Sequence, residues 1–374
     1  MTKSQSVVTT EGHHEGYQPA GHVRPGWRQA GEFDAQHGDQ PVRCGGGAAD
    51  KDEPGNLTKQ GGHAEVKVMD TTMKASAHGR RIAVCGDDFG MDASIDHAIF
   101  QLVDAGRLSA VSCMSTGASF ARHAADLKRR AADTGLHLNL TQALSPADAG
   151  MLPLKTLLLR AYAGRLDRTQ VRQEIDRQLD AFEDQMGQAP HYVDGHQHVH
   201  QLPGVRGPLL EALRQRYPRQ RPWLRLTPAG AMQGLPLAAV FKAHAIAGLG
   251  GHALAAQARQ DGWPGNRRFF GAYGFGGGRR AYASLLHHWL FNALDGDLIM
   301  CHPALPGPIE HAAQRVAEFE VLSSPELGEW LVANGLSVAR LSQMVPAGSR
   351  EASIGASLKR QGWGADANPP LISR

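Results

Sequence analysis

Between Asp194 and His200 the chain reads Asp194-Gly195-His196-Gln197-His198-Val199-His200, its densest run of metal-competent and proton-transfer side chains. In an extended strand alternate residues face the same side, so Asp194, His196, His198 and His200 would line a single wall. Burying several imidazoles and a carboxylate without partners is costly, and a metal ion or a reacting substrate gives them something to bind. Packing explains that density poorly.

Three other groups are weaker taken singly. In Gly86-Asp87-Asp88-Phe89-Gly90, two adjacent carboxylates follow a short apolar run. On an extended chain they point to opposite sides, so one can bind a cation while the other works on a substrate; an Asp in such a loop also serves as a helix cap. His137 alternates with apolar residues in Gly135-Leu136-His137-Leu138-Asn139-Leu140, and alone it reads as a satisfied core histidine. Cys301-His302-Pro303 closes a further apolar run and makes His302 a candidate general acid. Together these groups supply one carboxylate and two imidazoles, which leaves open positions on a metal for water and substrate. Such a metal activates water and polarises a carbonyl, chemistry suited to an unactivated amide, and the spare Asp supplies the base. The donor set suits Zn2+, Mn2+, Co2+ and, less comfortably, Mg2+.

The elements that must hold these residues follow from the apolar pattern. From Arg81 onward short apolar runs alternate with helical stretches. Strands are expected at Ile82–Gly86, Ala110–Met114, Gly135–Leu140, Tyr192–His200, Trp223–Leu226, Asp297–Cys301 and Leu336–Leu341. Helices are expected at Ile95–Val103, Phe120–Ala132, Val171–Met186, Val205–Arg216 and Tyr282–Leu294. Six or seven such units predict a βα barrel of mainly parallel strands over an open sheet, with the polar groups at the strands' C-terminal ends. The glycine-rich run Gly271–Gly278 lacks a following Lys-Ser or Lys-Thr, and no buried strand is expected before it, so a substrate loop is favoured over a phosphate-binding loop.

At 374 residues and a formal charge of +3, the composition supports a globular core and demands neither nucleic acid nor an acidic surface as partner. The exception is a basic run, Arg214–Arg225, read as a solvated helix end and loop, or as contact with an anionic or lipid-linked substrate. Cys44, Cys85, Cys113 and Cys301 stand far apart, which fits a reducing compartment and a cytoplasmic location. No signal peptide and no membrane span is expected; Leu235–Ala256, the most apolar run, is interrupted by Lys242, His244 and His252. Residues 1–78 read as a disordered Gly- and His-rich extension, with Met73 a candidate true start; 79–345 as the catalytic domain; and 346–374 as a flexible tail. Membrane-surface contact and a homodimer stay open.

The four motifs, ordered Asp87-Asp88-Phe89-Gly90, Gly135-Leu136-His137-Leu138-Asn139-Leu140-Thr141, Asp194–His200 and Cys301-His302-Pro303, resemble those of the YdjC-like carbohydrate deacetylases. That family includes chitooligosaccharide deacetylases and hopanoid-associated deacetylase-like proteins. The resemblance spans about Arg81 to Leu341 and implies an α/β fold, an irregular (β/α) barrel resembling polysaccharide deacetylases. It implies removal of acetyl from N-acetylated sugars with one divalent metal ion. By position, Asp88, His137 and His196 match the family's metal ligands and Asp87 its base. His302 falls where the proton donor to the leaving amine is expected, with His198 and His200 as rivals. Asp194, Arg225, Tyr273 and Phe275 are expected to contact substrate, the two aromatics by stacking on a sugar ring. Cys85-Gly86 departs from the small or Asn residue and Ala more usual there. Two rivals remain: a metal-dependent phosphoesterase, which would need more His or Asp ligands for a second metal, and a sugar-binding module without catalysis.

Overall fold

The structure is a computed structural model, which describes residues 79–344 apart from residue 149. The expected extension at 1–78, the question of Met73 and the expected tail at 346–374 lie outside the described residues. Eight strands alternate with helices: β1 (Arg80–Phe89), α1 (Ala93–Asp104), β2 (Ala110–Cys113), α2 (Ala118–Lys128), β3 (Asp133–Leu138), α3 (Leu154–Tyr162), α4 (Arg168–Met186), β4 (Tyr192–Gly195), α5 (Arg206–Arg216) and β5 (Trp223–Leu224). Then come α6 (Leu237–Ile246), α7 (His252–Asp261), β6 (Phe269–Phe270), α8 (Gly278–Asn292), β7 (Leu298–Cys301), α9 (Ala312–Leu322), α10 (Pro325–Ala333) and β8 (Leu336–Val338).

All strand pairs are parallel, in the order β5-β4-β3-β2-β1-β7-β6. The two ends of that order meet: Leu224 N–H donates to Pro264 O at 2.9 Å, and Phe269 N–H to Pro228 O at 2.9 Å. The sheet therefore curls into an irregular barrel, with β8 added beside the first residues of β1. Period-two alternation explains its inside. Ala83 and Cys85 of β1, Tyr192 of β4, Trp223 of β5, and Leu298 and Met300 of β7 form the central apolar cluster. Room for them comes partly from Gly135, since a Cβ there would lie 2.5 Å from the Tyr192 ring.

Two expectations are corrected. The strand predicted over Tyr192–His200 stops at Gly195, and His196–Gln201 forms a 3-10 turn in which Gln197 (φ 52°) and His198 (φ 60°) are left-handed. Alternation ends there, so the single wall of Asp194, His196, His198 and His200 does not exist. A buried strand, β6, does precede the Gly271–Gly278 run, and α8 follows it. Two residues are too few to leave a periodic signature. Helices α3, α6, α7, α9 and α10 were also not foreseen.

Candidate active site

The polar groups gather at the C-terminal end of the strands, in a pocket of about 690 Å³ lined by Asp87, Asp88, His137, His196, His198 and His302 among others. Asp87 continues the inward face of β1. Asp88 should point away from it, but its left-handed backbone (φ 71°) turns the chain and brings both carboxylates to one histidine. His137 Nε2 lies 3.4 Å from Asp88 Oδ1 and 4.0 Å from Asp87 Oδ2. The expected helix cap is a neighbour instead: Asp92 caps α1 by accepting from Ser94 N–H.

Asp88, His137 and His196 offer one ligand atom each, all within 4.8 Å of one another. His196 Nδ1 lies 3.0 Å from Asp88 Oδ1, and Arg315 Nη2 donates to Asp88 Oδ2 at 2.6 Å. Burial opposes ionisation of Asp88, yet the Arg315 guanidinium and His196 hold its carboxyl well below the usual range. Behind His137, Nδ1–H donates to Asp194 Oδ1 at 2.7 Å, which leaves Nε2 free for a cation. A carboxylate and two imidazoles, one held in the metal-ready tautomer and facing a pocket, fit a divalent metal.

A second acidic group, Cys85, Asp87 and Asp194, lies deeper. Its centre is filled by Arg225, which is 0% exposed. Arg225 donates to Asp87 Oδ2 and Oδ1 at 2.6 Å each, and its Nη2 lies 2.7 Å from Asp194 Oδ2. Ser112 Oγ adds a hydrogen bond to Asp194 Oδ2 at 2.6 Å. Burial pushes Asp194 up, but Arg225 and His137 together hold it below the ordinary carboxylate range. Asp194 and Arg225, expected to contact substrate, are both 0% exposed here and are engaged with His137, Ser112 and Asp87.

The histidines separate in the same way. His302 lines the pocket, with Nε2 3.9 Å from Asp87 Oδ2, and burial pushes it down to about 4 despite Asp88 and Asp87. His198 also lines the pocket, its ring edge-on to Phe269 at 5.6 Å. His200 does not reach it: Nε2–H donates to Arg225 O at 3.0 Å, and burial pushes it down to about 4.

Tyr273 is 4% exposed and its hydroxyl donates to Glu318. Its ring stacks on Phe275 at 5.3 Å, and both residues line the pocket, Phe275 being the more exposed of the two. Sequence reasoning missed Arg315 and Glu318, three apart on one face of α9, where Glu318 also accepts from His302 N–H at 2.6 Å. The one signal was a buried-type helix stripe that carries charge, with Leu322 continuing it. The basic run ends elsewhere. His191, Arg216, Arg219 and Arg221 line a separate cleft of about 500 Å³ with Ser342, and only Arg225 turns inward.

Comparison with known proteins agrees with this geometry. The chain is 30% identical to a carbohydrate deacetylase of Mus musculus over 314 residues, covering 71% of this chain and 94% of the mouse protein. A match to a Homo sapiens carbohydrate deacetylase is 38% identical over 145 residues, covering 36% of this chain and only 45% of the human one. A solved structure from Enterococcus faecalis V583, named for cellobiose-phosphate cleavage, shares the fold with a TM-score of 0.53 at 19% identity, over 71% of this chain and 98% of that one. The YdjC-like protein family matches residues 81–333, and the chain belongs to that family.

Proposed function

We propose that this protein is a metal-dependent carbohydrate deacetylase, a hydrolase that splits the amide of an N-acetylated sugar into acetate and a free amine. One observation carries the reading: Asp88, His137 and His196 converge on one pocket wall while Asp87, pinned by Arg225, stands beside them. The names of the mouse and human relatives support it. Held by Asp88, His137 and His196, a divalent ion (Zn2+ or Mg2+, with Mn2+ or Co2+ also compatible) supplies Lewis acidity to water and to the acetamide oxygen.

The chain's own groups supply the proton path. Arg225 occupies one lone-pair direction on each Asp87 oxygen and fixes the carboxylate plane, leaving the remaining lone pairs for the proton of the attacking water. His302 is neutral near pH 7, because burial holds it at about 4, so it must receive a proton before it can donate one. Asp87, 3.9 Å away, is the nearest source once it has taken the water's proton. The balance is one water consumed, a C–O bond formed from its oxygen to the acetyl carbon, the C–N bond broken, and one proton carried from water through Asp87 and His302 to the leaving nitrogen. Phe275 gives the sugar a face to stack on.

The phosphoesterase rival needs a second cation, and the group that would hold one already contains the Arg225 guanidinium. The deciding experiment is acetate release from a panel of N-acetylated oligosaccharides, with and without a chelator. Chelator-sensitive release is expected. Binding of such sugars without turnover would leave a sugar-binding module in its place.

A further inference from the structure

Two helices border the mouth of the pocket: α3 through Leu154, and α6 with the turn after it through Lys242, Ile246 and Leu249. Among the described residues seven large apolar side chains are exposed, and five of them belong to these two elements: Leu159 (74%), Tyr162 (54%), Leu237 (85%), Phe241 (77%) and Leu249 (38%). Single exposed leucines need no account, but a concentration around a pocket does.

Charge points the same way. No Asp or Glu occurs between Asp148 and Asp167, or between Glu211 and Asp261. On and just after α3, Lys155, Arg160 and Arg165 are exposed, and their side chains make no ion pair among the described residues. Exposed apolar side chains set among unpaired basic groups on α3, in two segments that carry no carboxylate of their own, complement the surface of an anionic bilayer, and the carboxylates of the pocket mouth, Asp92 and Glu310, belong to other segments.

By length and composition Leu237–Asp261 would suffice to cross a membrane, with a mean hydropathy of 1.2 in its most apolar window. Its contacts say otherwise. The helix breaks at Leu249 and Gly250, whose backbone is not helical. Gly250 and Gly251 press so closely on Gln201 and Thr227 that an added Cβ would lie 2.2 Å from their atoms. Gln201 Nε2 donates to Ile246 O at 2.7 Å and Arg206 Nε to Gln257 Oε1 at 3.1 Å. The segment is tied to the barrel and lies on its surface.

We propose that the α3 and α6 faces seat this protein on an anionic lipid bilayer, with the pocket mouth at the interface. The further step, that the sugar substrate is itself held at that interface by an apolar anchor, rests on the deacetylase reading; the bilayer contact does not. The test is co-sedimentation of the full chain with phosphatidylcholine vesicles made with and without phosphatidylglycerol, beside the double variant Leu237→Glu/Phe241→Glu and the variant Leu159→Glu. Binding to the anionic vesicles is expected, falling with added salt and weakened about tenfold or more in each variant. None of these side chains lines the pocket, so acetate release from a soluble oligosaccharide should be unchanged and doubles as the check on folding. Wild-type protein left in the supernatant with anionic vesicles would overturn the proposal, as would variants that bind like wild type. A wild-type dimer that the double variant converts to monomer would assign the face to a second copy and overturn it too. Vesicle binding needs no turnover, so its failure and the failure of the deacetylase reading are read separately.

Discussion

Two clusters of metal-competent side chains meet at the base of the pocket, one of a carboxylate and two imidazoles, the other of a thiol and two carboxylates, and they are put to different uses. Asp88, His137 and His196 face the cavity, and the one guanidinium that reaches them, that of Arg315, takes only Asp88 Oδ2. Cys85 and Asp194 are enclosed while Asp87 also borders the pocket, and Arg225 sits among the three within hydrogen-bonding distance of each. Where the fold builds a permanent cation into a nest of carboxylates, those carboxylates become fixed and orient others. Where it leaves the donors open to a pocket, they are free to take a metal. Neighbouring residues on β1 fall on opposite sides of this division, because one left-handed residue, Asp88, turns the strand end.

The sharpest way to break the comparison is to neutralise each neighbour in turn. Asp88→Asn is expected to lose bound metal, counted per chain by elemental analysis after dialysis, and to lower acetate release by about 10³-fold or more. Asp87→Asn is expected to keep the metal and lose about 10² to 10⁴ in kcat, the usual worth of a general base. If Asp87→Asn shed the metal and Asp88→Asn retained it, the two clusters would have to exchange roles. Next in size is Arg225→Met, which leaves two buried carboxylates without their cation. It should cost about 3 to 5 kcal/mol of stability by urea denaturation. A change within the error of that measurement would mean that the enclosed cluster does not depend on its guanidinium.

The smallest effect concerns acid. His200 holds the Arg225 carbonyl and is kept at about 4 by burial, below the 6.5 of an exposed histidine. Between those values the unfolded chain binds the extra proton, so stability is full above about pH 6.5 and falls as the pH drops toward 4. One such group contributes a slope of about 1.4 kcal/mol per pH unit at most, and roughly 3 kcal/mol across the window. His200→Gln should flatten that part of the profile in thermal unfolding. A wild-type profile already flat from pH 6.5 to 4 would remove His200 from the account.

The barrel was legible because it rests on local pattern, whereas Asp88 and His137 stood out as ligand candidates only through the family resemblance. Alternation put Ala83 and Cys85 inside β1, and the density of imidazoles marked His196 as more than packing. What stayed hidden depends on distant contacts or on backbone handedness. Nothing in Asp194–His200 announces that Gly195 ends the strand, where a Cβ would meet His200 N at 2.9 Å, or that Gln197 and His198 turn left-handed. Arg225 sits at the end of a basic run in which Arg216, Arg219 and Arg221 face a surface cleft and Arg214 pairs with Asp261, so its burial cannot be read from its neighbours. Arg315 and Glu318 come from a helix far along the chain, and only the closed barrel brings them to Asp88 and His302. Strand β6 is two residues long and its pairing is settled by the closure itself.

At the end of the barrel away from the pocket, β8 pairs with Arg80–Ile82, and Leu341 beyond it is 0% exposed. Ser342 N–H and Oγ–H both donate to Asp133, at 2.9 and 2.5 Å, and Asp133 also accepts from Trp223 Nε1 at 3.2 Å. The family match stops at residue 333, short of all these contacts. A chain trimmed to that boundary would open an unpaired edge on the strand that carries Asp87 and Asp88, uncork the core, and take Ser342 from a buried carboxylate. The extent of recognisable kinship and the extent of the cooperative folding unit differ here, and the second runs at least to Ser342.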